Sequence, residues 1–157
     1  MKMDKKYEKI LNEFVERCKE KFKENLISVA VFGSVARGTA TKESDIDVLL
    51  VVRNAGESMG ERLDEMLPIV MDISKAYGKD IYEHILTPDE VKKHPSILLD
   101  LTQDSIIVFD KNNFLSNELE KIRNNLRTLH AKRIWLDEER WYWKLKPNIK
   151  FGEVISI

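Results

Sequence analysis

Two aspartates one residue apart, Asp45 and Asp47, and a Gly-Ser pair upstream of them, Gly33 and Ser34, are the residues of this sequence best suited to chemistry. Asp45 and Asp47 alternate with Ile46, Val48, Leu49, Leu50, Val51 and Val52, a pattern that predicts a strand on which both carboxylates point the same way. Two acids on one face of an apolar strand repel each other and are costly to desolvate unless a divalent cation lies between them. Gly33 and Ser34 end the apolar run Ile27–Phe32, which reads as an earlier strand. Gly33 lets the backbone turn, and Ser34 brings a hydroxyl and free main-chain N–H groups to the start of a short helix. Such a helix start accepts an anion, and Arg37, three residues on, adds a fixed cation on nearly the same face. The chemistry expected is a phosphate cradle beside a metal-binding acid pair, with Mg²⁺ and nucleotide phosphates as its occupants.

The combination Gly33-Ser34, Arg37-Gly38 and Ser44-Asp45-Ile46-Asp47 followed by a hydrophobic tail resembles the nucleotidyltransferase superfamily related to DNA polymerase β, in particular its minimal single-domain (MNT) archaeal and bacterial members. Either half alone would read as an ordinary turn or cap. In the right order the two halves favour the family. The resemblance implies an α/β (α+β) fold, a small mixed sheet of about four strands flanked by helices. It implies that Gly33, Ser34, Arg37 and Ser44 bind the nucleotide and that Asp45 and Asp47 hold metal, two Mg²⁺ ions in the family, for transfer of a nucleoside monophosphate, AMP from ATP or another NTP, to an acceptor hydroxyl. Full-length members add a third acid from a later strand. Glu83 is the candidate, completing a catalytic set with Asp45 and Asp47, and Asp80 is the runner-up; both could equally be solvent-facing charges.

Two alternatives carry different functions. Small proteins similar to this one are antitoxins of a HEPN-type toxin, acting by binding or by adenylylating it, so a HEPN toxin is a possible partner. The chain could also be an inactive module that binds nucleotide and transfers nothing. Arg123 and His130 match the Arg-x6-His spacing of such a toxin, but they lie on one amphipathic helix in a chain too short to contain a helical toxin domain.

The elements that must position these residues follow from periodicity. At 157 residues with no linker-like composition shift, the chain reads as one nucleotidyltransferase domain over residues 1–132 with an aromatic and basic extension, 133–157, packed on it. Helices are expected over Asp4–Glu24 and over Ser58–Tyr77, the latter kinked or split at Pro68 and closed by Gly78. Ile81–Leu86 reads as a third strand and Ile106–Phe109 as a fourth. A capped helix from Pro88 toward Pro95 and another over Ser96–Leu101 lie between them. A long amphipathic helix spans about Asn113–Lys132.

Trp135, Trp141, Tyr142 and Trp143 then stand among Lys132, Arg133, Arg140 and Lys144. Rings interleaved with cations can stack bases or meet a partner protein; the plainer reading is that the indoles cover an exposed flank of the sheet. This tail also resembles a Trp-Tyr-Trp-x-Leu-Lys-Pro ending associated with archaeal members of the family. Residues 151–157 alternate like an edge strand, and that strand or the long C-terminal helix could pair two copies in a homodimer.

With 34% charged residues and a net charge of −1, the chain has no global basic field, so any nucleic-acid contact must be local. Cys18, the single cysteine, falls on the apolar face of the first helix and is expected to be a buried inert thiol. His84 and His94 read as surface or packing histidines, and no Cys/His zinc pattern occurs. No run approaches membrane-spanning length and the first residues are charged, so a cytoplasmic protein with no membrane partner is expected.

Overall fold

The computed structural model describes residues 2–157. Helix α1 (Lys5–Phe22) begins where the Asp4 carboxylate accepts from the Lys6 N–H, and it buries Tyr7, Ile10, Leu11, Phe14, Val15 and Cys18 as one stripe. Strand β1 (Leu26–Phe32) leads directly into the five-residue helix α2 (Gly33–Arg37), and β2 (Ile46–Val52) returns antiparallel to β1. Helix α3 (Met59–Tyr77) crosses back, so β3 (Ile81–Leu86) joins β2 in parallel. Helices α4 (Pro88–Lys92) and α5 (Ile97–Leu101) precede β4 (Ser105–Asp110), which pairs antiparallel with the far side of β1. The result is one mixed sheet in the order β3-β2-β1-β4, followed by α6 (Phe114–Thr128).

Alternation divides the strands between two cores. Val29, Val31, Val48 and Leu50 face α1 and α3, whereas Ala30, Leu49 and Val51 face α5 and α6. Both faces are covered, so β1 and β2 are almost wholly apolar; each fully buried Val, Leu or Ile contributes roughly 1.5–3 kcal/mol. Asp47 pairs with Phe32, in the alternating set of Leu49 and Ala30, and so projects from the α5/α6 face.

Three expectations are corrected. Helix α3 runs through Pro68 without splitting, because Pro68 lies on its exposed side, where water can take up the carbonyl it frees. Residues 129–144 end the last helix early and form a separate hairpin, β5 (Lys132–Trp135) and β6 (Trp141–Lys144). Residues 151–157 form no strand: Phe151 and Val154 stand exposed, while Ile157 returns to the α6 side and its carbonyl accepts from His94 Nδ1 at 2.7 Å.

Candidate functional site

Gly33 occupies the turn between β1 and α2 with φ +67°, a conformation that side-chain-bearing residues rarely adopt. A Cβ built on Gly33 would lie 2.5 Å from Asp47 Oδ2, so the backbone of the corner and the carboxylate of β2 are packed against each other. Helix α2 closes at Gly38, also left-handed, whose N–H reaches back to Ser34 and Val35 carbonyls. Gly33, Ser34, Arg37, Ser44 and Asp47 line one cleft of about 1300 Å³ together with Thr39 and Thr41.

Burial, first, pushes the Asp47 carboxyl above its ordinary range. The nearby Asp45 charge pushes it further, while His84 and Arg37 pull the other way. This mutual influence brings Asp45, Asp47 and Arg37 into one electrostatic neighbourhood. An acid pair of this kind, one member half-buried and penalised for its charge, fits a hard divalent cation, which would relieve both penalties.

The loop before Asp45 is held by a residue that sequence reasoning missed. Lys79, 5% exposed, donates its ammonium to the carbonyls of Thr41 (3.3 Å), Lys42 (2.6 Å) and Ser44 (2.9 Å). Ser44 accepts from the Thr41 N–H at 2.8 Å and closes the same turn, so its hydroxyl is engaged within the loop as well as lining the cleft. A lone lysine after Gly78 gives no hint of this in the sequence, because its partners are backbone groups more than thirty positions away.

Glu83 does not join the acid pair. The parallel register places it opposite Val48, between Ile81 and Ile85, on the α1/α3 face of the sheet. Its charge is felt by Cys18, whose thiol burial pushes up to about 12. Burial also raises the Glu83 carboxyl. Asp80, between α3 and β3, accepts from Ser74 Oγ at 2.7 Å. The β3 residues that share the Asp47 face are Tyr82 and His84, the latter with its ring 5.5 Å from Phe32.

The far wall of the cleft comes from α5, the turn into β4 and the hairpin. Asp100, Asp104, Trp135, Leu136, Asp137, Glu138, Glu139 and Trp141 complete its lining. Asp100 accepts from the indole N–H groups of Trp141 (2.7 Å) and Trp143 (2.9 Å). Asp104 bonds Arg133 through both its oxygens and lies 3.5 Å from Arg37.

The model of the nucleotidyltransferase domain matches residues 11–151 of the chain. The chain belongs to the nucleotidyltransferase-domain family. A Methanocaldococcus jannaschii relative that carries the provisional name protein adenylyltransferase MJ1305 is 33% identical over 148 residues, 93% of this chain and 99% of the relative. A Sulfolobus solfataricus structure provisionally assigned as a nucleotidyltransferase shares 25% identity and a TM-score of 0.49, covering 66% of this chain and 80% of that one. A chain from the complex of tri-AMPylated Shewanella oneidensis HEPN toxin with MNT antitoxin matches at 9% identity and TM-score 0.45, covering 77% and 92%. The mixed α/β sheet flanked by helices is thus a nucleotidyltransferase fold, and the chain is a nucleotidyltransferase. None of its described helices is long and apolar enough to cross a membrane.

Proposed function

We propose that the protein transfers AMP from ATP to a hydroxyl on a partner protein. The observation that carries this reading is the contact of the Gly33 backbone with the Asp47 carboxylate in a cleft that also presents Arg37. The corner and Asp47 thereby share one space, with Asp45 near enough for its charge to act on Asp47, as metal-bound triphosphate requires. Ser34 and its neighbouring N–H groups would hold the phosphates, with Arg37 opposing their charge. Asp45 and Asp47 would hold Mg²⁺, two ions in the full arrangement, which when bound stabilises the leaving pyrophosphate and acidifies the acceptor hydroxyl. Lys79 fixes the loop that carries Ser44 into Asp45, so the acids do not have to be ordered at the moment of reaction.

The protein acceptor is supported by the name of the M. jannaschii relative, which spans nearly the whole chain. A HEPN-type toxin is the partner the family resemblance suggests, in a cytoplasmic setting. Residues 133–157 we read as an extension of the same domain, since Trp143, Leu145 and Ile157 pack on the core beneath α6.

The test is incubation of the protein and its co-encoded neighbour with Mg²⁺ and ATP labelled in the adenine or, separately, at the γ-phosphate. Adenine label on the neighbour, absent with Asp45→Asn/Asp47→Asn, is the expected result. Mg²⁺-dependent ATP binding without transfer to any protein would leave the nucleotide-binding module instead.

A further inference from the structure

Arg37 does not reach the cleft as a free side chain. Its guanidinium lies 3.5 Å from Asp104, which is 7% exposed, and 5.1 Å from the ring centroid of Trp141. Asp104 is at the same time gripped from the other side by the fork of Arg133, on the hairpin. Arg133 in turn lies 4.7 Å over Trp135 and 5.3 Å over Trp141, whose rings are 4.9 Å apart. Trp141 and Trp143 then anchor the hairpin to Asp100 of α5. One buried carboxylate is shared by two guanidinium groups, and two aromatic rings brace both cations.

Asp104 thus joins Arg37, the one arginine among the described residues that line the cleft, to Arg133 of the hairpin, on a wall that also carries Asp100, Asp137, Glu138 and Glu139. The two-bond fork fixes Arg133 and Asp104 against each other, and so fixes the carboxylate oxygen that Arg37 lies against. We propose that Asp104 is a positioning residue for the nucleotide phosphates: it holds Arg37 at the cleft wall, and Arg133 makes the C-terminal hairpin a structural part of the nucleotide site. This inference rests on the nucleotide reading above and adds to it a requirement for residues outside the Gly-Ser corner and the acid pair.

Charge and positioning predict opposite outcomes for Asp104→Asn. Asp104→Asn removes a negative charge from the wall, and by electrostatics alone should tighten binding of a triphosphate. Arg133→Gln removes a positive charge and leaves Asp104 to neutralise Arg37, and by electrostatics alone should weaken it. If Asp104 acts by positioning, both substitutions weaken binding, since Asp104→Asn removes the charge that Arg37 pairs with and Arg133→Gln breaks the fork that holds Asp104 in place. A charge-assisted hydrogen bond to a phosphate is worth about tenfold or more in affinity, so losses of about tenfold are expected in both variants.

The chain offers a local reporter, since its three tryptophans are Trp135, Trp141 and Trp143, all within or beside the hairpin. Binding of Mg²⁺·ATP to the whole protein is measured by calorimetry and by tryptophan fluorescence, for wild type, Asp104→Asn, Arg133→Gln and the conservative Arg133→Lys. Expected are a fluorescence change on ATP addition in wild type, weakened affinity in Asp104→Asn and Arg133→Gln, and partial recovery in Arg133→Lys. Circular dichroism shows which variants fold, and Arg133→Lys keeps the charge should Asp104→Asn not fold. Wild-type binding that Asp104→Asn leaves unchanged or tightens, or that Arg133→Gln leaves unchanged, overturns the inference and leaves the nucleotide reading standing. No binding by wild type removes both.

Discussion

Replacing Gly33 by alanine tests the central contact directly, because the structure supplies both terms of its cost. The first is conformational: at φ +67° a residue with a Cβ pays about 1–2 kcal/mol. The second is steric: the new methyl would sit 2.5 Å from Asp47 Oδ2, and the carboxylate must leave its rotamer at a cost of about 0.5–1.5 kcal/mol. Together they amount to about 1.5–3.5 kcal/mol, which for a chain of this size lowers Tm by about 3–14 °C. Gly78→Ala is the matched control: φ is +61°, but nothing lies within 4 Å of the added Cβ, so only the first term applies. Both variants should fold. Gly33→Ala should lose transfer by about 100-fold, because it displaces a group that the reaction needs in place, whereas Gly78→Ala keeps it. The measurements are thermal melts and transfer of adenine label. Transfer by Gly33→Ala equal to that of Gly78→Ala would refute the reasoning, since Asp47 would then be displaced without consequence.

Three further outcomes follow from the charges. Asp47→Asn should raise Tm in metal-free buffer at neutral pH while abolishing transfer, because burial penalises the charged carboxylate and the amide carries no charge; a lowered Tm in thermal melts would contradict this. Glu83→Gln should leave label transfer within about twofold of wild type and raise Tm at pH 7, since its carboxyl is raised by burial on the face away from the cleft; loss of transfer in the folded variant would return Glu83 to the site. Glu90 is held down from 4.5 to about 2, first by its hydrogen bonds from Arg62, so its contribution is full above pH 4.5 and is lost as pH falls toward 2. Glu90→Gln should therefore be less stable than wild type at pH 7 and lose less stability between pH 4.5 and 2, as read by denaturant melts across that range.

Most of the sheet was legible because its strands are short β-branched runs with clear boundaries. Ile81–Leu86 has the expected ends, and β4 differs from Ile106–Phe109 by one residue at each end. The hairpin was not legible. Lys132–Trp135 and Trp141–Lys144 are four residues each, mixed in charge and aromatic content, and their pairing is fixed by the distant acids Asp100 and Asp104. The alternation of residues 151–157 misled for the opposite reason: a period of two predicts which way side chains point, but a strand also needs an edge within reach to pair with. Glu83 shows the same limit at the site. Whether a residue on β3 joins Asp47 depends on the register of a parallel pair whose strands are joined through α3, and shifting that register by one residue exchanges the faces.

The sequence by itself determined that a small-residue turn follows one strand and an alternating acid pair opens the next, because glycine's freedom at positive φ and the two-residue period of a strand are local properties. Only the tertiary structure decided that Gly33 abuts Asp47, that Lys79 holds the intervening loop, that Glu83 turns away and that Arg37 is shared with the hairpin through Asp104. Those are matters of register and long-range packing, in which the partners lie tens of residues apart and no local preference selects them.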